Sequence, residues 1–192
     1  YTDLNIGLIK VVSNTSLIDD PARMMRAVRF STTSNFKIEA KTKQEIKTNS
    51  ILLRDITIER TRDDLLKILG TDQSYLGLRL MNELGLTKHI IPELDSTKGV
   101  MQPKWHFWDV FDHLIETVGN LEKIIPTQSI REGNNVEIIG LVPLFEGIKQ
   151  YFNEQIGDGH TRLTACKLAC LLHDIGKPST QTVDNDGRIR FL

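Results

Sequence analysis

The 192-residue sequence has few of the features that mark a specialised class of protein. Aromatic residues make up only 6%, the net charge is only −1, and only two cysteines are present. It has no run of about eighteen apolar residues, so no membrane span is expected, and no secretory signal peptide is seen at its start. What remains, with 40% hydrophobic and 26% charged residues, is enough for one large globular domain or two small ones.

The two cysteines, Cys166 and Cys170, lie four residues apart in an apolar helical pattern. We interpret them as buried reduced thiols of a cytoplasmic protein, because a zinc site would need further ligands nearby.

The charged residues are unevenly distributed along the chain. Residues 1–70 carry 12 Lys and Arg against 9 Asp and Glu, whereas residues 71–192 carry 12 against 16. A surface that binds a polyanion is therefore expected in the first part, although the excess is smaller than that of a dedicated nucleic-acid binder.

The segment from Asp19 to Phe30 carries the most informative pattern. Asp20 followed by Pro21 predicts a helix start, with the carboxylate as N-cap and the proline at the first helical position. Arg23 and Arg26 then follow at a three-residue spacing. A fixed Asp accepts hydrogen bonds and a fixed Arg only donates them, which matches the donor and acceptor order on the pairing edges of cytosine and adenine. The alternative is a capped helix whose arginines simply face water.

The residues Asp19-Asp20-x-x-Arg23 resemble the Glu-Asp-x-x-Arg element of class II tRNA nucleotidyltransferases, the CCA-adding enzymes, and of related bacterial poly(A) polymerases. The resemblance implies that Asp20 and Arg23 select the incoming base. Asp19 stands where the family has Glu, and Arg26 is expected to support the site.

Residues 57–70 predict a helix with Thr57 as its cap and Gly70 at its end. Within it, Glu59-Arg60-x-x-x-Asp64 resembles the Glu-Arg-x-x-x-Glu element of the same family. The resemblance implies that Glu59 and Arg60 brace the nucleotide-binding helix without contacting the base. An internal ion-pair role is also the ordinary structural expectation for such residues.

Residues 1–12 predict strand-like structure, and Asp3 to Lys10 resembles the end of the family's catalytic head domain; a simple edge strand is the alternative. In the family, a Gly-Gly turn followed by an Asp-x-Asp pair holds two Mg²⁺ ions for phosphoryl transfer. From the sequence we expect neither of these two features in this chain. We therefore expect a C-terminal fragment that lacks most of the head and does not add nucleotides by itself.

The second half contains His113 and the adjacent pair His173-Asp174, which precedes Gly176-Lys177-Pro178. Neutral imidazoles and a carboxylate bind a divalent cation, either a transition metal or Mg²⁺, which activates water for attack on phosphorus. These residues resemble the HD domain of metal-dependent phosphohydrolases. A fourth ligand, an Asp, is expected downstream of Leu192, and His106 is a further candidate. We expect Trp105, Phe107 and Trp108 to pack in the core.

The sequence therefore predicts a mainly α fold with a little β structure at its start and end. Residues 1–18 would end the nucleotidyltransferase head, 19–98 would form a helical neck and body, and 99–192 would form the front of an HD domain. The implied function is CCA addition to tRNA from CTP and ATP. The alternatives are poly(A) polymerase, an HD phosphohydrolase with an RNA-binding module, and a catalytically empty RNA-binding module.

Overall fold

A computed structural model describes residues 2–103, 107–125 and 145–191. Within these ranges none of the helices combines the length and apolar character needed to cross a bilayer. The predicted mainly α fold is confirmed, and the described part of the chain also contains three small two-stranded sheets. The elements, in chain order, are α1 Thr2–Asn5, β1 Leu8–Ile9, α2 Ser16–Asp19, α3 Arg23–Thr33, β2 Lys37–Ile38, α4 Ala40–Asn49, a 3₁₀ helix Ser50–Asp55, α5 Ile58–Leu69, α6 Ser74–Glu83, α7 Thr87–Ile90, α8 Pro92–Asp95, α9 Val110–Ile124, α10 Ile148–Asn153, β3 Gln155–Gly157, β4 His160–Thr161, α11 Arg162–Leu172, α12 Lys177–Thr180, β5 Gln181–Val183 and β6 Ile189–Phe191.

Helices α3, α5 and α6 pack against one another and form the centre of the first half. Each contributes buried apolar side chains to their contacts, and Met24, Met25 and Ile68 are fully buried. Gly77 on α6 permits the close approach, because a Cβ atom there would lie 2.5 Å from Ile68 Cγ2 and 2.8 Å from Thr32 Cγ2. A larger residue at this position would separate the helices that carry the candidate site.

Two local predictions in the first half were wrong. Residues 1–12 are not mainly extended, because Thr2–Asn5 is a short helix and only Leu8–Ile9 pairs, in parallel, with Lys37–Ile38. Thr57 precedes α5 without a side-chain capping bond.

The predicted N-cap role of Asp20 was also wrong. Helix α3 begins at Arg23 after a turn, in which the carbonyl oxygens of Asp20 and Pro21 accept from the amides of Arg23 and Met24. The Asp20 carboxylate binds arginine side chains instead. Charge-assisted hydrogen bonds of this kind are stronger than a bond to a neutral backbone N–H of the helix start.

Helix α9 joins the two halves of the chain, because it packs against α6 on one side and α11 on the other. Gly119 on α9 lies so close to Tyr75 that an added Cβ would be 2.7 Å from its ring. Lys167 of α11 is only 1% exposed, and its Nζ lies 3.1 Å from Glu122 Oε1 and donates to the Thr71 carbonyl. One hydrophobic core thus runs across the boundary expected near Gly99, and the division into domains stays a prediction.

The segment 93–102 crosses the expected boundary near Gly99 and is partly helical and partly buried. It includes the end of α8, and Leu94, Thr97 and Gln102 are buried. The predicted C-terminal hairpin is confirmed: β5 and β6 pair antiparallel, and Gly187 has φ +75° in the Asp-Gly turn.

Phe107 and Trp108 were expected in the core but are 89% and 39% exposed. The predictions for Trp105 and His106 lie outside the described residues.

Candidate functional site

The side chain of Asp20 lies between α2 and α3 and is surrounded by three guanidinium groups. Arg60 Nη2 donates to Asp20 Oδ1 at 2.8 Å, and Arg26 Nη1 donates to Oδ2 at 3.2 Å. Arg23 Nε lies 3.6 Å from the same Oδ2. The arrangement brings together the predicted pair, Asp20 and Arg23, and two of the predicted supporting residues, Arg26 and Arg60.

The electrostatics of this cluster keep Asp20 ionised. Burial alone would raise the pKa of its carboxyl group, but the hydrogen bond from Arg60 and the charges of Arg60, Arg26 and Arg23 outweigh it and lower the pKa below its ordinary value. A carboxylate held in this form is a hydrogen-bond acceptor at every oxygen lone pair. Because three positive charges face one negative charge, the cluster also carries excess positive charge.

Helix α5 is tied to the region of α3 by two ion pairs. Arg60 reaches Asp20, and Asp64 Oδ1 accepts from Arg29 Nε at 2.7 Å in a largely buried contact. Arg60 and Asp64, both from the Glu59-Arg60-x-x-x-Asp64 element, therefore hold α5 against α3, the helix that carries Arg23. Glu59 is exposed. Its negative charge acts on the neighbouring Arg62 and helps to raise the pKa of that guanidinium group.

Asp19 was expected to contribute to the nucleotide site. It ends α2, its side chain is exposed, and among the described residues it makes no ion pair with the arginines around Asp20. The structure therefore separates the two adjacent carboxylates, and Asp20 alone occupies the cluster.

A mainly apolar cavity of about 270 Å³ opens beside Arg23 and Arg26. Its walls come from the segment after β1, from α2, from α3 and from α4, with Phe30 and Val12 among the apolar residues. Lys10 also lines it, and its ammonium lies 3.6 Å from Glu39. Apolar walls with a few convergent cations suit a flat ring that carries an anionic group.

A second cluster lies between α9 and the end of α11. His113 Nε2 and His173 Nε2 are 3.2 Å apart, and Asp174 Oδ2 lies 3.5 Å from the first and 3.2 Å from the second. Three potential ligand atoms therefore converge within 4.8 Å, from positions 60 residues apart in sequence. Two imidazole nitrogens and one carboxylate oxygen form a donor set suited to a divalent transition metal.

The orientation of His173 supports this interpretation of the donor set. Its Nδ1 lies 2.8 Å from the carbonyl oxygen of Cys170. A neutral imidazole that donates from Nδ1 to a carbonyl keeps Nε2 as the acceptor, and this is the usual arrangement of a histidine that binds a metal.

One contact at this cluster was not predicted from the sequence. Lys177 Nζ lies 2.6 Å from Asp174 Oδ2 and also donates to Gln102 Oε1 at 2.7 Å. The i,i+3 spacing of Asp174 and Lys177 is a local signal that could have indicated it.

The cysteines near this cluster are free thiols and are half-buried. Burial first, and then the neighbouring Cys166, raise the pKa of the Cys170 thiol to about 11. A protonated thiol is a poor metal ligand, so the candidate metal site rests on nitrogen and oxygen donors.

An Asp-x-Asp spacing does occur at Asp184 and Asp186, within the C-terminal hairpin. Asp184 Oδ1 accepts from the amides of Asp186 and Arg188, and its Oδ2 accepts from Arg190 Nε. These bonds stabilise a turn, so the spacing here does not indicate a pair of metal-binding carboxylates.

Part of the chain matches a family model. Residues 35–98 match the model described as the probable RNA and SrmB-binding site of polymerase A. The matched segment begins after α3 and extends through α8.

Three curated relatives are tRNA nucleotidyltransferases. The A-adding enzyme of Deinococcus radiodurans is 29% identical over 195 residues, covering 98% of this chain and 37% of that protein. The CC-adding enzyme of Thermus thermophilus is 25% identical over 196 residues, covering 99% of this chain and 37% of that protein. A CCA-adding enzyme of Bacillus cereus is 36% identical over 98 residues, covering 51% of this chain and 25% of that protein.

Solved structures show the same fold. A tRNA nucleotidyltransferase complexed with a primer tRNA and an incoming ATP analogue has a TM-score of 0.59, with 20% identity over 90% of this chain and 40% of that one. The Thermotoga maritima CCA-adding enzyme complexed with tRNA has a TM-score of 0.57, with 23% identity over 97% of this chain and 34% of that one. The predicted resemblance to the tRNA nucleotidyltransferase family is thus confirmed along nearly the whole chain, which spans a little over a third of the length of the Deinococcus and Thermus relatives.

Proposed function

We propose that the full-length protein containing this chain adds C and A to the 3′ ends of tRNA from CTP and ATP. The relatives that cover nearly the whole chain carry out the A-adding and CC-adding versions of this reaction by name. Mg²⁺ would support phosphoryl transfer in a head domain, and residues 35–98 would contact RNA, as the matched family model suggests. A tRNA substrate also favours a cytoplasmic location.

The observation that carries this proposal is the Asp20 cluster beside the cavity. Asp20 supplies fixed acceptors, and Arg23, which is about half exposed, supplies donors on the cavity side. An acceptor beside a donor complements the amino group and adjacent ring nitrogen of cytosine or adenine. Guanine and uracil present the reverse order, so they would leave polar groups of the site unpaired, which is costly.

Arg26 and Arg60 hold the carboxylate in this role. Each donates to a different Asp20 oxygen, so together they restrict rotation of the carboxyl group. Arg23 Nε lies farther from Asp20 than the donor atoms of Arg26 and Arg60, at 3.6 Å. Of the three arginines, Arg23 would therefore lose the least interaction with Asp20 if it turned toward a base. The pair accepts both C and A, so it is equally compatible with an A-adding, CC-adding, CCA-adding or poly(A) polymerase activity.

Replacement of Arg23 tests base selection. In the full-length enzyme, Arg23→Ala should raise GTP and UTP incorporation relative to CTP and ATP by about tenfold or more, because a hydrogen bond to a charged group contributes about 1.5–3 kcal/mol. Binding of tRNA should change little. Arg188→Ala, which removes an exposed arginine of the hairpin, is the matched control. An unchanged incorporation profile for Arg23→Ala would mean that Arg23 does not select the base.

We propose a second activity, metal-dependent phosphohydrolysis, for the cluster on α9 and α11. His113 and His173 would bind a divalent cation through Nε2, and Asp174 would bind it through a carboxylate oxygen. The bound metal would lower the pKa of a water molecule for attack on phosphorus. The backbone carbonyl group of Cys170 would keep His173 oriented. Hydrolysis of a 2′,3′-cyclic nucleotide with added Co²⁺ or Ni²⁺ tests this activity.

A further inference from the structure

Lys177 lies in the first turn of α12 and is enclosed by groups from three other segments. Its Nζ lies 2.6 Å from Asp174 Oδ2, 2.7 Å from Gln102 Oε1 and 5.1 Å from the centroid of the Phe191 ring. Gln102 is only 6% exposed, and its amide in turn lies within 3.3 Å of the Trp108 carbonyl. The ammonium group is therefore held in place and is not a mobile surface charge.

The carboxylate oxygen that binds Lys177 is the same one that faces both imidazoles. Asp174 Oδ2 lies 3.2 Å from His173 Nε2 and 3.5 Å from His113 Nε2. A divalent cation held by these atoms would therefore lie close to a fixed ammonium group. Like charges at such distances repel strongly where water is partly excluded.

We propose that Lys177 is a built-in competitor of the metal: it neutralises Asp174 when the site holds no cation and weakens divalent-cation binding. Metal occupancy then requires Lys177 to turn away from Asp174. Gln102 and Phe191 are the groups that could hold the ammonium in its alternative position, since both already contact it. This inference rests on the proposed metal site, and it makes the metal affinity of that site weaker than its ligands alone would give.

The test is a Co²⁺ titration of the full-length protein, followed by the visible absorption of the bound ion. The His173→Ala variant gives the signal from all other sites, which is subtracted. Lys177→Met keeps the length of the aliphatic stem and removes the charge, so it should tighten His173-dependent Co²⁺ binding by about tenfold or more. Lys177→Arg keeps the charge and should bind Co²⁺ about as weakly as the parent.

Control variants separate this effect from other causes. Lys41→Met removes an exposed charge from α4, which belongs to the other half of the chain, and should leave Co²⁺ affinity unchanged. Near-ultraviolet circular dichroism shows whether Lys177→Met retains the parent fold. Weaker binding by a folded Lys177→Met protein would show that Lys177 positions Asp174, and equal binding would show that it has no effect on the metal. Either result would overturn this inference but not the metal site. Absence of any His173-dependent signal in the parent and in Lys177→Met would overturn both the inference and the metal site.

Discussion

The chain holds two clusters that are each built around one aspartate, and they differ in the partners of that aspartate. Asp20 is surrounded by Arg23, Arg26 and Arg60, which can only donate hydrogen bonds and stay charged. Asp174 faces His113, His173 and Lys177, and the imidazole nitrogens can accept as well as donate.

This difference in partners predicts opposite ligands. Around Asp20, excess positive charge and an apolar cavity favour a flat, partly anionic molecule such as a nucleotide. Around Asp174, converging lone pairs favour a cation. The same side chain thus serves as a fixed acceptor in one place and as a potential metal ligand in the other, and its neighbours decide which.

Removal of the His173 imidazole should impair the Asp174 cluster and leave the Asp20 cluster intact. His173→Ala should reduce metal-dependent hydrolysis of a 2′,3′-cyclic nucleotide by at least about 100-fold, since even loss of groups behind a metal ligand costs 10–100-fold. Addition of C and A to tRNA should be unaffected, because the Asp20 cluster lies on other helices. Parallel assays of both activities on one preparation provide the measurement.

The matched control for this variant is His160→Ala. His160 lies on β4, which precedes α11, and it is not among the three residues that converge on the candidate metal site. If both variants keep full hydrolysis, the HD interpretation of the second half has to be abandoned.

The sequence predicted the residues of both clusters but not their connections. The resemblance indicated Asp20, Arg23 and Arg60, and the structure brings them together. The partner of Asp20 that binds most closely is 40 residues away, and no local periodicity specifies such a contact. The cap prediction failed for the same reason, because it considered only the neighbours of Asp20 in sequence.

Burial was the other property that the sequence did not reveal. Lys167 lies within the apolar helical pattern around Cys166 and Cys170, yet its long charged side chain gives no sign in the sequence that it is only 1% exposed. Its burial depends on Glu122 and on the Thr71 carbonyl, which come from distant parts of the chain. Conversely, Phe107 has an apolar side chain but is exposed. Tertiary packing decided both positions.

Arg60 binds Asp20 but does not line the cavity. Its replacement therefore tests whether a residue can affect base selection only by holding Asp20 in place. Arg60→Ala should reduce discrimination of C and A against G and U by about tenfold, the equivalent of one charge-assisted hydrogen bond. The maximal rate of addition should fall more than tRNA affinity. The measurement is kcat/KM for each of the four nucleotides.

Arg62→Ala is the control on the same helix. Arg62 is exposed and pairs with its neighbour Asp63, so its loss should leave discrimination unchanged. Equal effects of the two variants would mean that discrimination between bases depends on the positive charge of α5 and not on the bond from Arg60 to Asp20. Arg60→Lys should restore only part of the discrimination, because a lysine cannot reproduce the geometry of the guanidinium group.

The smallest expected effect is the pH dependence of stability that Asp20 contributes. Its arginine partners lower the pKa of the folded carboxyl group below the ordinary value of 3.8. A lowered pKa in the folded state gives stabilisation that is complete above the unfolded value and is lost as pH falls through the folded value. Asp20→Asn lacks this contribution. The free energy of unfolding of the parent should therefore exceed that of the variant by a constant amount above about pH 4, by ~1 kcal/mol at most for a partly exposed pair.

Urea denaturation of both proteins from neutral pH down to about pH 3 measures this difference. The difference should shrink below about pH 4, because there Asp20 becomes protonated in the unfolded chain while it stays ionised in the folded protein. A difference that stays constant to the lowest pH, or grows there, would mean that the three arginines do not hold Asp20 in its ionised form. Asp20 would then lack the fixed acceptor character that distinguishes its cluster from that of Asp174.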